Sequence, residues 1–189
     1  MKKKWSVKKK IVVTLLSVIA AFLLVVIVYV LYVFGTYHRI KDKQPIEINS
    51  LNATEGSKVK TGVEYTAGTY NVGFGAYTPD YSFFMDGGKY SRCFSKQSGI
   101  DAINGAADYA KSENPDFMIF EEVDRDSTRS YHVNQENLIN KKFQGYFQNF
   151  AVNYDSAYLF YPFNEPIGKS YSGISVYSKY ELSLIHISE

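Results

Sequence analysis

The sequence predicts an α/β (α+β) domain that follows an N-terminal transmembrane helix. Three observations support this. Residues 11–34 form an apolar run of 24 residues without a charge. Beyond it, a strand pattern, a helical pattern and a second strand pattern follow one another between residues 63 and 120. Aromatic residues make up 16% of the chain, which is typical of a packed, β-rich domain and not of a disordered chain.

The apolar run at residues 11–34 is predicted to cross a membrane as an uncleaved signal-anchor. At 1.5 Å per residue it spans roughly 36 Å, enough for a hydrocarbon core. Six lysines within residues 1–10, the basic tail, are expected to stay in the cytoplasm. We therefore expect a single-pass protein of the cell membrane, with the lipid bilayer as a partner and the C-terminal domain extracytoplasmic. The alternative is a cleaved signal peptide, but residues 33–37 make a poor cleavage site.

The rest of the chain is mildly acidic, because the net charge of +2 becomes −4 without those six lysines. This balance disfavours a nucleic-acid binder without excluding one, since phosphate neutralisation supplies much of the affinity of such proteins. The single cysteine, Cys93, excludes an internal disulfide, and no Cys/His metal cluster is present in the sequence. We expect Cys93 to be a small buried side chain, because a nucleophilic thiol would need a positioned histidine.

Residues 35–62 are predicted to be a linker, with a short strand at residues 45–48. Residues 63–74 are rich in β-forming residues and predict the first strand of the domain. A long loop follows over residues 75–96. Its aromatic side chains suit either a lipid surface or, as we favour, a small hydrophobic core within the loop. These side chains are Tyr77, Tyr81, Phe83 and Phe84.

A helix is predicted over residues 98–112 and a buried strand over residues 117–120. The helix has one apolar face and ends before Pro115, because proline disfavours helical geometry in the residue that precedes it. Farther along the chain, the patterns predict one more helix and three more strands. These are residues 135–142 for the helix, and residues 146–152, 157–161 and 172–177 for the strands.

Polar residues follow the first two predicted strands. A strand–helix–strand unit usually joins parallel neighbours, so Asn71 and Glu122 are expected near one sheet edge, where open α/β sheets bind ligands. If the strand continued, Glu121 and Glu122 would point to opposite faces and only one would face a pocket. A hard cation such as Mg²⁺ suits such a carboxylate. The alternative is that both glutamates begin a solvated loop with Asp124 and Asp126.

Three segments carry motifs of one known family, in that family's order. Residues 69–73 read Thr-Tyr-Asn-Val-Gly, residues 114–124 read Asn-Pro-Asp-Phe-Met-Ile-Phe-Glu-Glu-Val-Asp, and residues 172–178 read Ser-Gly-Ile-Ser-Val-Tyr-Ser. They resemble the first strand, the metal-site strand and a later strand of the endonuclease/exonuclease/phosphatase (DNase I-like) family. The resemblance covers residues 63–181 and implies a membrane-anchored, bacterial-type member with an incomplete four-layer α/β/β/α sandwich.

The resemblance also implies a site and a reaction. In that family a glutamate at the position of Glu122 binds a catalytic Mg²⁺ or Mn²⁺ ion, and an asparagine at the position of Asn71 orients metal and phosphate. Asn71 and Glu122 are thus the predicted catalytic and metal-binding residues of a phosphate-ester hydrolase. Its substrate would be a nucleic acid, an inositol phosphate or a phospholipid, with no defined protein partner. Glu121 departs from the family pattern, which has glutamine there.

Two later motifs of the family, Gly-Asp-x-Asn and Ser-Asp-His, do not occur in this sequence. They supply the aspartate and histidine that activate water, so the resemblance implies a C-terminally truncated domain that is itself inactive. Residues 182–189 resemble the translation of a transposon-type sequencing adaptor and are expected to be non-native, which leaves His186 without a function. His132 lies in a polar stretch and is expected at the surface. His38 is expected at the membrane boundary.

Two functions therefore follow from the sequence. The first is the N-terminal part of a membrane-anchored, divalent-metal-dependent phosphoesterase acting on phosphodiesters or phosphomonoesters. The alternative is a non-catalytic extracytoplasmic binding domain, whose ligand is a partner molecule or lipid. The two differ in what must follow in the reading frame, because only the first requires the two missing motifs.

Overall fold

The computed structural model describes residues 5–37, 39–41, 45–55 and 57–182. The chain divides into two compact units, Met1–Tyr37 and His38–Glu189. The first contains helix α1, and the second is a mixed α+β domain. The predictions for residues 1–4, for His38, and for residues 183–189 with His186 fall outside the described residues.

Helix α1, Val7–Thr36, is apolar and has no buried residue. It begins after Ser6, whose side chain accepts a hydrogen bond from the Lys9 N–H at 3.3 Å and so caps the first turn. Among the described residues, α1 is the one helix long and apolar enough to cross a membrane. The predicted helix at residues 11–34 is observed, and it extends beyond the apolar run at both ends.

The domain is built on a five-stranded mixed sheet. The strands are β1 Ile48–Leu51, β2 Ala67–Asn71, β3 Phe117–Asp124, β4 Tyr146–Leu159 and β5 Gly168–Ser178. Their order in the sheet is β1-β4-β5-β3-β2. Strands β2 and β3 are parallel, and the other neighbouring pairs are antiparallel. The parallel pair predicted from the strand–helix–strand pattern is thus confirmed.

Several strands differ from the predicted segments. β1 lies inside the segment predicted as a linker, but it begins at the last residue of the short strand predicted at residues 45–48 and pairs with β4 from Ile48 to Leu51. β2 is shorter than residues 63–74, since the chain turns after Asn71 and buries Phe74. β4 joins two predicted strands into one, with irregular pairing to β5 between them. No residue of its distal half is buried, so that half shows no alternation of buried and exposed residues.

Helix α2, Lys96–Ser112, and helix α3, Gln135–Lys142, cover one face of the sheet. The prediction for α3 is confirmed at both ends. α2 begins two residues earlier than predicted, because Ser95 and Ser98 form a reciprocal capping box at its start. Polar capping residues interrupt the apolar pattern from which the helix start was predicted.

The main core lies between the sheet and the two helices. Phe120 of β3 is fully buried, with its ring centroid 5.5 Å from that of Phe143 and 5.7 Å from that of Tyr177. Ile103 of α2 and Ile139 of α3 complete this layer and are also fully buried. The helices therefore fix the strand ends that carry the polar residues.

Asp116 connects the N-terminal ends of β2 and β3. Its Oδ2 accepts hydrogen bonds from the Thr66 N–H at 2.9 Å and from Thr66 Oγ1 at 3.1 Å. Lys179 Nζ lies 3.5 Å from Oδ1. The backbone hydrogen bond from Thr66, together with these neighbours, holds the pKa of the Asp116 carboxyl below its usual value. The carboxylate form therefore stabilises the fold.

We expect Asp116→Ala to lower the free energy of unfolding by about 1–2 kcal/mol at pH 7, because two hydrogen bonds to a charged acceptor are lost. The pKa of folded Asp116 lies below that of the unfolded chain. The stabilisation that the Asp116 carboxylate provides is therefore complete at a pH above the pKa of the unfolded chain. It is lost as the pH falls through the pKa of the folded chain. Urea unfolding of the full chain in detergent micelles, followed by near-UV circular dichroism, measures this difference.

Glu64→Ala is the matched control, since Glu64 is an exposed carboxylate on the segment before β2. It should change the free energy of unfolding by less than about 0.5 kcal/mol. If Asp116→Ala lowered the free energy of unfolding by the same amount well below about pH 4, the role given to the carboxylate would be contradicted.

Candidate functional site

Asn71 and Glu122 lie side by side at the C-terminal ends of β2 and β3. Asn71 Nδ2 donates a hydrogen bond to Glu122 Oε1 at 2.9 Å. Asn71 Oδ1 accepts one from the Gly73 N–H, also at 2.9 Å. Because Oδ1 faces a backbone donor, the amide nitrogen must face the carboxylate. The predicted proximity is observed, and Asn71 orients Glu122 through its N–H while its own oxygen is engaged by the backbone.

A β-bulge determines where the two glutamates point. The pairing register between β3 and β5 shifts at Glu121 and Glu122, and Glu122 has a φ of +55°. Thr69 Oγ1 donates to Glu121 Oε1 at 2.7 Å, while Asn71 holds Glu122. Thr69 and Asn71 are two residues apart on β2 and share a face. Both carboxylates therefore lie on one side of the sheet.

This arrangement corrects two expectations. The glutamates do not point to opposite faces, because the bulge adds a residue to β3 and interrupts the alternation. Neither do they begin a solvated loop, since β3 continues to Asp124, which is fully buried. Glu122 is one of six described non-glycine residues with a positive φ, an uncommon conformation, and here it belongs to the bulge.

Asp124 is paired with Arg129, a residue that the sequence analysis did not single out. Arg129 Nε lies 3.2 Å from Asp124 Oδ2, and Nη2 lies 3.0 Å from Oδ1, so the contact is bidentate. The guanidinium carbon lies 4.2 Å from the ring centroid of Phe74. The remaining nitrogen, Nη1, lies 3.9 Å from Glu122 Oε2. Arg129 thus connects the buried Asp124 to the half-exposed Glu122.

One signal in the sequence pointed toward this pair. A carboxylate directly after a buried apolar strand needs a partner, because an unpaired charge is costly to bury. Two arginines, Arg125 and Arg129, follow Asp124 within five residues. Arg125 instead pairs with Glu136 of α3, with Nη2 donating to Oε1 at 2.9 Å. The spacing alone does not tell the two arginines apart.

Buried polar side chains form hydrogen bonds to the turn after β2. Gln135 Nε2 donates to the Phe74 carbonyl at 2.7 Å, and Gln135 Oε1 accepts from the Asp124 N–H at 3.0 Å. Cys93 Sγ also donates to the Phe74 carbonyl, at 3.2 Å. Burial raises the pKa of the Cys93 thiol to about 12. Cys93 is therefore a buried structural side chain, as predicted.

His132 lies at the surface, as predicted, and pairs with Asp126. His132 Nδ1 lies 2.5 Å from Asp126 Oδ1, and Lys169 Nζ lies 3.2 Å from Oδ2. The hydrogen bond from His132, followed by that from Lys169, lowers the pKa of Asp126. Asp126 is therefore part of a surface ion-pair cluster.

The Glu122 carboxylate is partly accessible to solvent at the end of β3. Glu122 is 42% exposed, and its Oε2 is at 3.9 Å from Arg129, beyond hydrogen-bonding distance. Mg²⁺ binds proteins through one or two carboxylates and keeps several waters. Among the residues that the structure describes, no group of three or more His, Cys, Asp or Glu side chains is placed to hold a metal. A divalent ion at Glu122 would therefore have to take most of its ligands from water.

A scan against protein-family models and searches of curated proteins and of solved structures found no match to this chain. The resemblance to the endonuclease/exonuclease/phosphatase family therefore stays a prediction that depends on the three sequence motifs. The contacts around Asn71 and Glu122 are the structural basis for a functional proposal.

We expect Arg129→Leu to lower the free energy of unfolding by about 3–5 kcal/mol, because it leaves the Asp124 carboxylate buried without a partner. The double variant Asp124→Asn with Arg129→Leu removes both charges and should recover part of this loss. Urea unfolding of the full chain in micelles measures both. The matched control is Arg129→Lys, which keeps the charge without the two-point contact and should lose less. Additive losses in the double variant would show that the two side chains do not stabilise each other.

Proposed function

We propose that this chain belongs to a membrane-anchored, divalent-metal-dependent phosphoesterase in which Glu122 holds the metal ion. The observation that carries the proposal is the 2.9 Å hydrogen bond from Asn71 to Glu122 at the ends of two parallel strands. Ligands of open α/β sheets bind at such strand ends. The substrate is a phosphodiester or phosphomonoester, in a nucleic acid, an inositol phosphate or a phospholipid.

The residues around Glu122 have distinct roles in this proposal. When bound, Mg²⁺ or Mn²⁺ supplies positive charge that neutralises phosphoryl oxygens. Glu122 holds the ion, and Asn71 fixes the orientation of the carboxylate. Arg129 places a positive charge 3.9 Å behind Glu122 Oε2 and so offsets part of the repulsion from Glu121. Asn71 is accordingly a positioning residue, which refines its predicted role as a direct metal ligand.

The membrane location of the chain and the layers of its domain are also part of the proposed function. We propose that α1 is an uncleaved anchor in the cell membrane with the domain extracytoplasmic, since lysines flank the N-terminal end of its apolar run and such residues stay inside. We also propose that the sheet is half of a four-layer α/β/β/α sandwich. The face opposite the helices supports this, because Ile119 on it is 37% exposed and Val176, which pairs with Ile119, is only partly buried.

A non-catalytic extracytoplasmic binding domain is the alternative function. It is favoured by the small number of available ligands at the site, since Glu121 and Glu122 are partly exposed carboxylates whereas the buried Asp124 is paired with Arg129. The two functions differ in one property. Only the phosphoesterase requires a divalent ion and a phosphate group to bind at the same point.

We expect Mn²⁺ to bind the full chain in micelles and Glu122→Gln to abolish this binding, because the ligand charge is removed. Asn71→Ala should weaken binding about 10- to 100-fold, since it frees the carboxylate to rotate. Electron paramagnetic resonance of free Mn²⁺ during a titration measures both. Added inorganic phosphate should tighten Mn²⁺ binding in the unsubstituted chain, because the bound cation attracts the phosphate anion. Each ligand then raises the affinity of the other by the same factor.

Glu121→Gln is the matched control, since it removes the neighbouring charge while Glu122 and Asn71 remain. It should change Mn²⁺ affinity by less than about threefold. Equal binding in Glu122→Gln and in the unsubstituted chain would end the proposal. Binding at Glu122 that inorganic phosphate does not affect would favour the non-catalytic domain.

A further inference from the structure

The tip of the β4–β5 hairpin and the loop after β2 together form an exposed apolar surface. Phe163, Met85 and Tyr161 are 85%, 70% and 63% exposed. The ring centroid of Tyr161 lies 5.8 Å from that of Phe84 and 5.9 Å from that of Phe163. We call Phe84, Met85, Tyr161 and Phe163 the aromatic wedge.

The two segments of the aromatic wedge are fixed to each other behind it. The Ser91 N–H donates to Glu165 Oε2 at 2.8 Å, and Arg92 Nε donates to the Pro166 carbonyl at 2.8 Å. Ser91 is fully buried, so this junction is part of the folded interior. The hairpin tip and the loop therefore present their apolar side chains as one surface.

The internal packing of the loop reaches Phe84, whose ring centroid lies 5.0 Å from that of Phe83, but it does not account for Met85 or Phe163. Tyr81 and Phe83 pack against a small core of Phe74, Ala76 and Cys93. This is the loop core that the sequence analysis favoured. The two most exposed side chains of the wedge, Met85 and Phe163, lie outside this core. Solvent-exposed apolar side chains of this size in a contiguous group are typical of an interaction surface.

The charge near the wedge indicates the kind of partner. Residues 83–90 contain one acidic residue, Asp86, and one basic residue, Lys89, which balance. At the junction behind the wedge, the Glu165 carboxylate accepts from the Ser91 N–H and the Arg92 guanidinium donates to the Pro166 carbonyl, so one charge of each sign lies there. Aromatic rings favour the headgroup region of a bilayer. Because the wedge lacks the basic cluster that anionic lipids attract, it suits a zwitterionic phospholipid surface, which has no net charge.

The chain itself keeps a bilayer within reach. α1 ends at Thr36 and β1 begins at Ile48. The connecting residues 37–47 span at most roughly 40 Å when fully extended. A tether of this length gives a high effective concentration of lipid at the domain, so that a few inserted side chains suffice for binding.

We propose that the aromatic wedge inserts into the headgroup region of the bilayer that α1 spans, and that it docks the domain on a surface of zwitterionic phospholipid. The inference rests on α1 being the membrane anchor, and it is independent of metal binding at Glu122. The wedge would act as a second, reversible membrane contact besides the helix.

The test uses the full chain in phosphatidylcholine liposomes, with and without brominated acyl chains that quench tryptophan fluorescence. Trp5 is the single tryptophan, so Trp5→Phe gives a silent background. Three reporters are compared: Phe163→Trp in the wedge, Val25→Trp in α1, and Tyr109→Trp on the exposed side of α2. Brominated lipid should quench the first two about twofold or more and leave the third unchanged.

A Phe163→Trp reporter that is no more quenched than the Tyr109→Trp reporter would overturn the proposal. The Val25→Trp reporter then shows separately whether α1 lies in the bilayer. Blue-shifted but unquenched emission from the Phe163→Trp reporter would mean that a second copy of the chain covers the wedge, which also overturns it. Met85→Ser with Tyr161→Ser should reduce the quenching of the Phe163→Trp reporter, since these exposed neighbours supply most of the remaining inserted surface.

Discussion

The buried ion pair of Asp124 and Arg129 is the interaction on which the geometry of the candidate site depends. The pair lies at the C-terminal end of β3, and its guanidinium packs on the ring of Phe74. The Phe74 carbonyl accepts a hydrogen bond from Gln135. These contacts fix the turn that follows Asn71. A buried charge pair adds little net stability but is strongly destabilising when broken. Its effect here is to hold two loops against the strand ends that carry Asn71 and Glu122.

The parallel pair and the proximity of Asn71 to Glu122 could be predicted because they follow from local patterns and the rule for crossover connections. The bulge could not, since two consecutive glutamates carry no glycine to mark a positive φ. Arg129 comes from a loop, where neither periodicity nor motif identifies a partner. β4 was predicted as two separate strands because its distal half buries no residue, and alternation is visible only where one face is buried.

The two proposals use different parts of the domain. The site at Glu122 depends on side chains at strand ends, where the backbone is fixed by the sheet and by buried polar contacts. The aromatic wedge depends on a loop and a hairpin tip joined through Ser91 and Glu165. A scaffold can change such loops with little effect on its core. Binding to lipid and chemistry at the strand ends would therefore be adjustable separately.

The bulge in β3 has a consequence for insertion and deletion. Phe120 and Val123 both belong to the core beneath the helices, although they are three positions apart and regular alternation would place them on opposite faces. One residue between them is therefore supernumerary to the ladder. Loss of the Glu122 codon would restore an uninterrupted strand with every core residue on its present face. The position of Glu122 is therefore set by the extra residue of the bulge and not by the alternation that places the core side chains.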